Sequence, residues 1–158
     1  MSTATLTHNT APNQISRDES DIRALLARIH QAHHDKDAAT IAAQFVPDAA
    51  IYSLAPPLLH RGIDVQEKQN WLDSWDGPVE IVPRDLKVTV SGDSAFCYGY
   101  LQLNGSPKAA AGRHVSFWMR WTVCLGREEG LWRIVHEHAS VPFYMNGEPR
   151  AAFDLQPS

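Results

Sequence analysis

Cysteine is scarce in this chain of 158 residues, which has only Cys97 and Cys124. Two thiols build neither a disulfide framework nor a spaced zinc set. They read as small buried hydrophobes of a reducing, cytoplasmic protein. No apolar run approaches the roughly 18 residues that a membrane span requires. The N-terminus shows no basic region followed by an apolar one, which argues against a secretory signal. A formal net charge of −4 supplies no basic field, so nucleic acid and anionic membranes are not expected partners. The glycines are scattered and none opens a helix after a strand, so a phosphate-cradling loop is absent. Without a G-x-S-x-G elbow or an active-thiol setting, nucleophilic catalysis has no support either.

What is present suits one domain. Hydrophobic residues make up 44% of the chain, enough for a core. Residues 1–15 are polar and aperiodic and read as a disordered or loosely attached tail. Ser16 and Glu19 then have the spacing of a capping box, and Ile22, Leu25, Leu26 and Ile29 follow at helical spacing. That helix is expected to reach His34, with His33 and His34 as its solvated end. Asp37 caps a short second helix to Phe45. A strand follows over 50–54, then the proline-stiffened loop APPLLHRG. A third helix starts at Asp64, carries Trp71 and Trp75 on one face, and stops at Gly77-Pro78.

From residue 79 the period becomes two. Alternating segments at 79–90, 95–103, 113–125 and 131–141 predict an antiparallel meander. The order of elements predicts an α+β fold, with helices packed on one face of a curved sheet. The domain should span 16–145, with 146–158 as a C-terminal tail.

The stretch LWRIVHEHAS, residues 131–140, carries the densest chemistry. His136 and His138 would stand on one face of a strand, about 6.6 Å apart by the usual rise. Two ligands are too few for a catalytic zinc, and nothing in the sequence places His114 as a third. No metal or other cofactor is therefore expected. General acid/base work needs only one or two titratable groups in a dry pocket, and Glu137, His114, His136, His138 and Arg120 are candidates. A regular strand would put Trp132, Ile134, His136 and His138 on one face, and Arg133, Val135, Glu137 and Ala139 on the other. Both faces are mixed, so periodicity does not choose between them.

The runs FVPDAAIYSLAPPLLHRG, GDSAFCYGYLQL, MRWT and GLWRIVHEHASVPF, together with the Trp-bearing helix, resemble the SnoaL-like branch of the nuclear transport factor two superfamily. The likeness covers about residues 18–145. It implies a cystatin-like α+β barrel: a cone of mixed, mostly antiparallel sheet wrapped around three N-terminal helices, with a cavity open at one end. Members range from ketosteroid isomerase and scytalone dehydratase to the association domain of calcium/calmodulin-dependent kinase, so the fold alone does not name a reaction.

The isomerase machinery does not carry over. Ser53 stands where that enzyme has its base, Ile29 where it has its oxyanion tyrosine, and Phe117 near its second acid. The kinase association domain shares the W-x-I-V-H-x-H-x-S run at Trp132–Ser140, which implies that Val135, Glu137 and Ala139 face the cavity. The cavity arginines of that domain fall on Ala139 and Gln102 here. The resemblance thus implies Glu137 as the catalytic group, with His136, His138 and Arg120 as alternatives. It implies a ligand-binding wall of Ser53, Trp71, Trp75, Tyr98, Tyr100, Gln102 and Trp121. It further implies a homodimer whose buried sheet face carries Trp132, Ile134, His136 and His138. Two functions are consistent with this: a cofactor-free isomerase, lyase, cyclase or hydrolase for a small, largely apolar substrate, or a non-catalytic ligand-binding or oligomerisation module.

Overall fold

A computed structural model describes residues 12–158. Its first helix, α1 (Pro12–His34), starts ahead of the expected boundary at Ser16. Ser16 and Glu19 therefore lie inside the helix and form no cap. The reason is tertiary: Asp18 is buried and ion-paired with Arg127 at 2.6 Å, and Gln14 donates to it one turn earlier at 3.0 Å. Those contacts hold the early turns. The remainder of the expected tail, residues 1–11, lies outside the described residues.

The stripe Ile22, Leu25, Leu26, Ile29 and Ala32 is buried. Helix α2 (Ala38–Ala42) is capped by Asp37, whose carboxylate accepts from the Thr40 amide at 2.9 Å. Strand β1 (Phe45–Tyr52) and a two-residue strand β2 (His60–Arg61) come next. Gly62 closes this turn at φ +66°, where a Cβ would collide with the Pro47 carbonyl. In α3 (Val65–Asp73) the cap is Asp64, accepting from the Glu67 amide at 2.8 Å.

Four long strands follow: β3 (Trp75–Ser91), β4 (Ser94–Pro107), β5 (Val115–Glu128) and β6 (Leu131–Ser140). With β1 and β2 they form one curved sheet in the order β2-β1-β6-β5-β4-β3. Every pairing is antiparallel except β1 with β6. Three helices on a mostly antiparallel sheet agree with the expected class. The segment beyond 145 is less free than expected. Strand β7 (Phe143–Tyr144) pairs with β8 (Arg150–Ala151), Phe153 meets Phe117 at 4.7 Å, and Gln156 accepts from the Trp118 indole at 2.9 Å.

One irregularity decides the facing of β6. Leu125 opposes Ile134 while its neighbour Cys124 opposes His136, so Val135 is an extra residue, a β-bulge. Gly126, near the Val135 side chain, gives the bulge room. Before it, Trp132 and Ile134 point inward and are buried in the core. After it the alternation is shifted by one. The single continuous face of Trp132, Ile134, His136 and His138 therefore does not exist, and the first two are not available to a partner.

Candidate functional site

Helix α1 crosses the inner face of the sheet and leaves a cavity of about 430 Å³ beside its C-terminal turns. The walls are mostly aliphatic, from Ile29, Ile51, Ile81, Leu101, Leu103 and Met119. Because of the bulge, Glu137 and Ala139 also line it, whereas Val135 is exposed. The Trp121 indole donates to Glu137 Oε1 at 2.7 Å. These residues sit diagonally across β5 and β6, since Trp121 opposes Ala139 and Val123 opposes Glu137. A buried, rigid indole thus fixes one carboxylate oxygen.

Two histidines from α1 join the site. His30 lies with its ring 5.9 Å from that of Trp121, and its buried Nε2 has no hydrogen-bond partner. Burial pushes its pKa down to about 4. His33 falls further, to about 3, through burial first and then the nearby Lys68 charge. A hydrogen bond to the Ile29 carbonyl at 2.8 Å works against these. A carbonyl oxygen only accepts, so His33 Nδ1 carries the proton and Nε2 is left as the acceptor. Lys68, from α3, lies over the Trp71 ring at 4.4 Å and also lines the cavity. Burial lowers its pKa, and the charge of Glu137 pulls the other way. The result is a chamber with aliphatic walls that brings Glu137, His30, His33 and Lys68 together, with His60 and the exposed Arg61, Asp64 and Glu67 also in its lining, a set able to take and return protons.

The expected site residues divide. Glu137, Ser53, Trp71 and Trp121 line the cavity. Ser53 is occupied locally, its hydroxyl donating to the Ala55 carbonyl and accepting from the Ala55 amide. Trp75 is core instead, packed edge-on to Trp71 at 5.6 Å and over Gly105, where a Cβ would come within 2.8 Å of the ring. Tyr98, Tyr100 and Gln102 are on the outer face of β4. Its inner face is Ala95, Cys97, Leu101 and Leu103, with Gly99 so close to β3 that a Cβ would sit 2.9 Å from the Arg84 carbonyl. Arg120 and the exposed His138 also face outward. His136 donates from Nδ1 to the Ala50 carbonyl at 2.7 Å, and both imidazoles meet the Tyr52 ring edge-on. His114 is exposed in the loop before β5. Among the described residues, no group of three His, Cys, Asp or Glu is placed to hold a metal ion. No helix there is long and apolar enough to cross a membrane.

Residues 22–144 match the SnoaL-like domain. The chain belongs to this family. Solved structures agree with the assignment. An NTF2-like protein of unknown function from Pseudomonas putida KT2440 is 29% identical, with a TM-score of 0.76 over 90% of this chain and 98% of its own. A candidate scytalone dehydratase from Novosphingobium aromaticivorans is 13% identical, with a TM-score of 0.69 over 87% of this SnoaL-like chain and 92% of its own. A candidate dehydratase of the NTF2-like family from Streptomyces avermitilis is 15% identical, with a TM-score of 0.67 over 79% and 96%. No curated protein matches the sequence.

Sequence reasoning missed His30, His33 and Lys68. A signal for the histidines was there: His33 continues the stripe of Leu26 and Ile29 at helical spacing, and His30 lies one turn after Leu26. Only His34 is the solvated end, paired with Asp35 at 3.0 Å. Lys68 had no such signal, because a lysine three residues before a tryptophan is an ordinary surface pattern.

Proposed function

We propose that this SnoaL-like protein binds a small, largely apolar molecule in the cavity and acts on it as a cofactor-free acid/base enzyme of the dehydratase or isomerase type. One observation carries the reading: Glu137 is held by the Trp121 indole in an aliphatic chamber, beside a buried His30 nitrogen with no partner. A carboxylate held in this way is placed to act as general base toward an acidic C–H next to a carbonyl. His30, neutral through burial, hydrogen-bonds the departing or shifting oxygen. The same reading puts the protein in a reducing cytoplasm, which suits its two free thiols. It pairs two copies through the outer sheet face, where Phe96, Tyr98 and Tyr100 are exposed.

A β-hydroxy ketone bearing a phenyl group tests the chemistry, because its dehydration gives a conjugated enone followed by absorbance. Glu137→Gln keeps the shape and the acceptor for Trp121 while removing the base. Turnover should fall about 10²–10⁴-fold, with affinity for the product little changed. Turnover that survives the substitution removes Glu137 from the mechanism. Binding without turnover in the unaltered protein marks a ligand-binding module instead.

A further inference from the structure

Lys68 is a cavity group to which the proposed acid/base reaction gives no role. Among the described residues its amine has no hydrogen-bond acceptor and no carboxylate within 4.0 Å. This contrasts with Lys36, whose amine donates to the Trp75 carbonyl at 2.7 Å. Lys68 is borne on α3 next to the Trp71 ring, with His33 packed edge-on against that ring at 6.2 Å. The amine thus fronts a cavity with aliphatic walls, whose lining also includes His33, His60, Arg61, Asp64 and Glu67.

We infer that Lys68 is a nucleophilic amine that captures small aldehydes or ketones in the cavity as an imine. The inference rests on the cavity being a ligand site, and not on Glu137 acting as the base. Burial disfavours charge on the amine and lowers the Lys68 pKa, and the charge of Glu137 opposes that shift. A lysine made less basic by desolvation is the usual origin of an imine-forming amine.

The step balances without a further reagent. The nitrogen lone pair of Lys68 attacks the carbonyl carbon and forms a C–N bond, while the carbonyl π pair moves to oxygen and takes up a proton. The nitrogen gives up its first proton to that oxygen, relayed through water, which leaves a neutral carbinolamine. The C–O bond then breaks, the oxygen leaves as water with the second proton of the nitrogen, and the nitrogen lone pair closes the C=N bond. Carbonyl compound and amine give imine and water. A carbonyl carrying an apolar body fits the aliphatic walls, and its bound imine is a better electron sink for loss of a neighbouring proton than the free ketone.

Reductive trapping tests this in the intact protein. Benzaldehyde and cyanoborohydride are added at neutral pH, and peptide mass spectrometry follows benzylation at the chain's four lysines. The exposed Lys87 and Lys108 serve as internal references. An amine whose pKa is lowered is more often free at neutral pH, so Lys68 should be labelled faster than either reference. Lys68→Arg should abolish the fast phase and leave labelling of the references unchanged. Equal or slower labelling at Lys68 overturns the inference. If benzaldehyde then still quenches the fluorescence of the cavity tryptophans, the ligand-site reading survives and Lys68 is a charged anchor. If it does not quench either, both readings fall.

Discussion

The two ends of helix α1 treat buried polar groups in opposite ways. At the hairpin end, the Asp18 carboxylate meets Arg127 at 2.6 Å. Arg127 also reaches Asp93 at 3.1 Å and stacks over Trp132 at 4.3 Å. At the cavity end, about three turns later, His30 Nε2 is buried without a partner, and the amine of Lys68 on α3 has no hydrogen-bond acceptor among the described residues. Desolvation acts at both ends. The first answers it with an ion pair and hydrogen bonds on Asp18 Oδ1, although Asp18 Oδ2 and the Trp132 indole stay unpaired there, and the second has no such charge partner. The difference separates a group that fastens the helix to the sheet from groups that the proposed ligand would meet.

The sharpest way to break this contrast is Asp18→Ala, which leaves a largely buried guanidinium with only an exposed partner in Asp93. Unfolding in urea should show a loss of about 3 kcal/mol, at the lower end for a broken buried pair because Arg127 keeps Asp93 and Trp132. Burial alone would raise the Asp18 pKa. The hydrogen bonds from Arg127 and Gln14 and the charge of Arg127 outweigh it, so the net shift is downward. Its contribution is therefore fully present above the unfolded value near 3.9 and is lost as pH falls below that value. A variant as stable as the parent at neutral pH would remove the fastening role.

The cavity histidines should act at a higher pH and with a smaller effect. Their folded values of about 4 and about 3 lie below the ordinary 6.5. As pH falls below 6.5 the unfolded chain takes up protons that the folded chain refuses, and stability declines toward pH 4. The slope should be on the order of 1 kcal/mol per pH unit for each histidine. Urea titrations at pH 6.5 and 5.5 measure it, and His30→Leu should remove about half. An unaltered slope in that variant would place His30 in contact with water.

Lys68→Met is expected to have the smallest effect, and the opposite sign. Exchanging a half-buried, unpaired amine for an apolar chain of similar length should change stability by less than about 1 kcal/mol, toward stabilisation. A large loss in thermal or urea unfolding would show that Lys68 has a structural partner after all.

The sequence announced elements better than faces. The caps at Asp37 and Asp64, the helical stripe and the four alternating strands are local signals, and they recur in the structure. The facing of β4 was misjudged because Tyr98, Tyr100 and Gln102 look like a binding wall. The narrow space between sheet and helix instead takes the smaller set of Ala95, Cys97 and Leu101. On β6 two regular faces seemed the only choices, and the bulge at Val135 supplied a third that no periodicity reveals. The capping box at Ser16 lost to a distant ion pair. Each miss involves a partner far away in the chain.

That bulge has a further consequence. Inside and outside on the last strand are a matter of phase, and one extra residue sets the phase for all that follows. Deleting Val135 would restore a regular strand and still leave Glu137 facing in, since the count to Ile134 then comes out even. Straightening the strand with Val135 retained would instead turn Glu137 out and bring His136 and His138 in. The same ten residues can therefore furnish an acidic chamber or an imidazole-lined one, and the chemistry of the interior is written partly in the length of the strand.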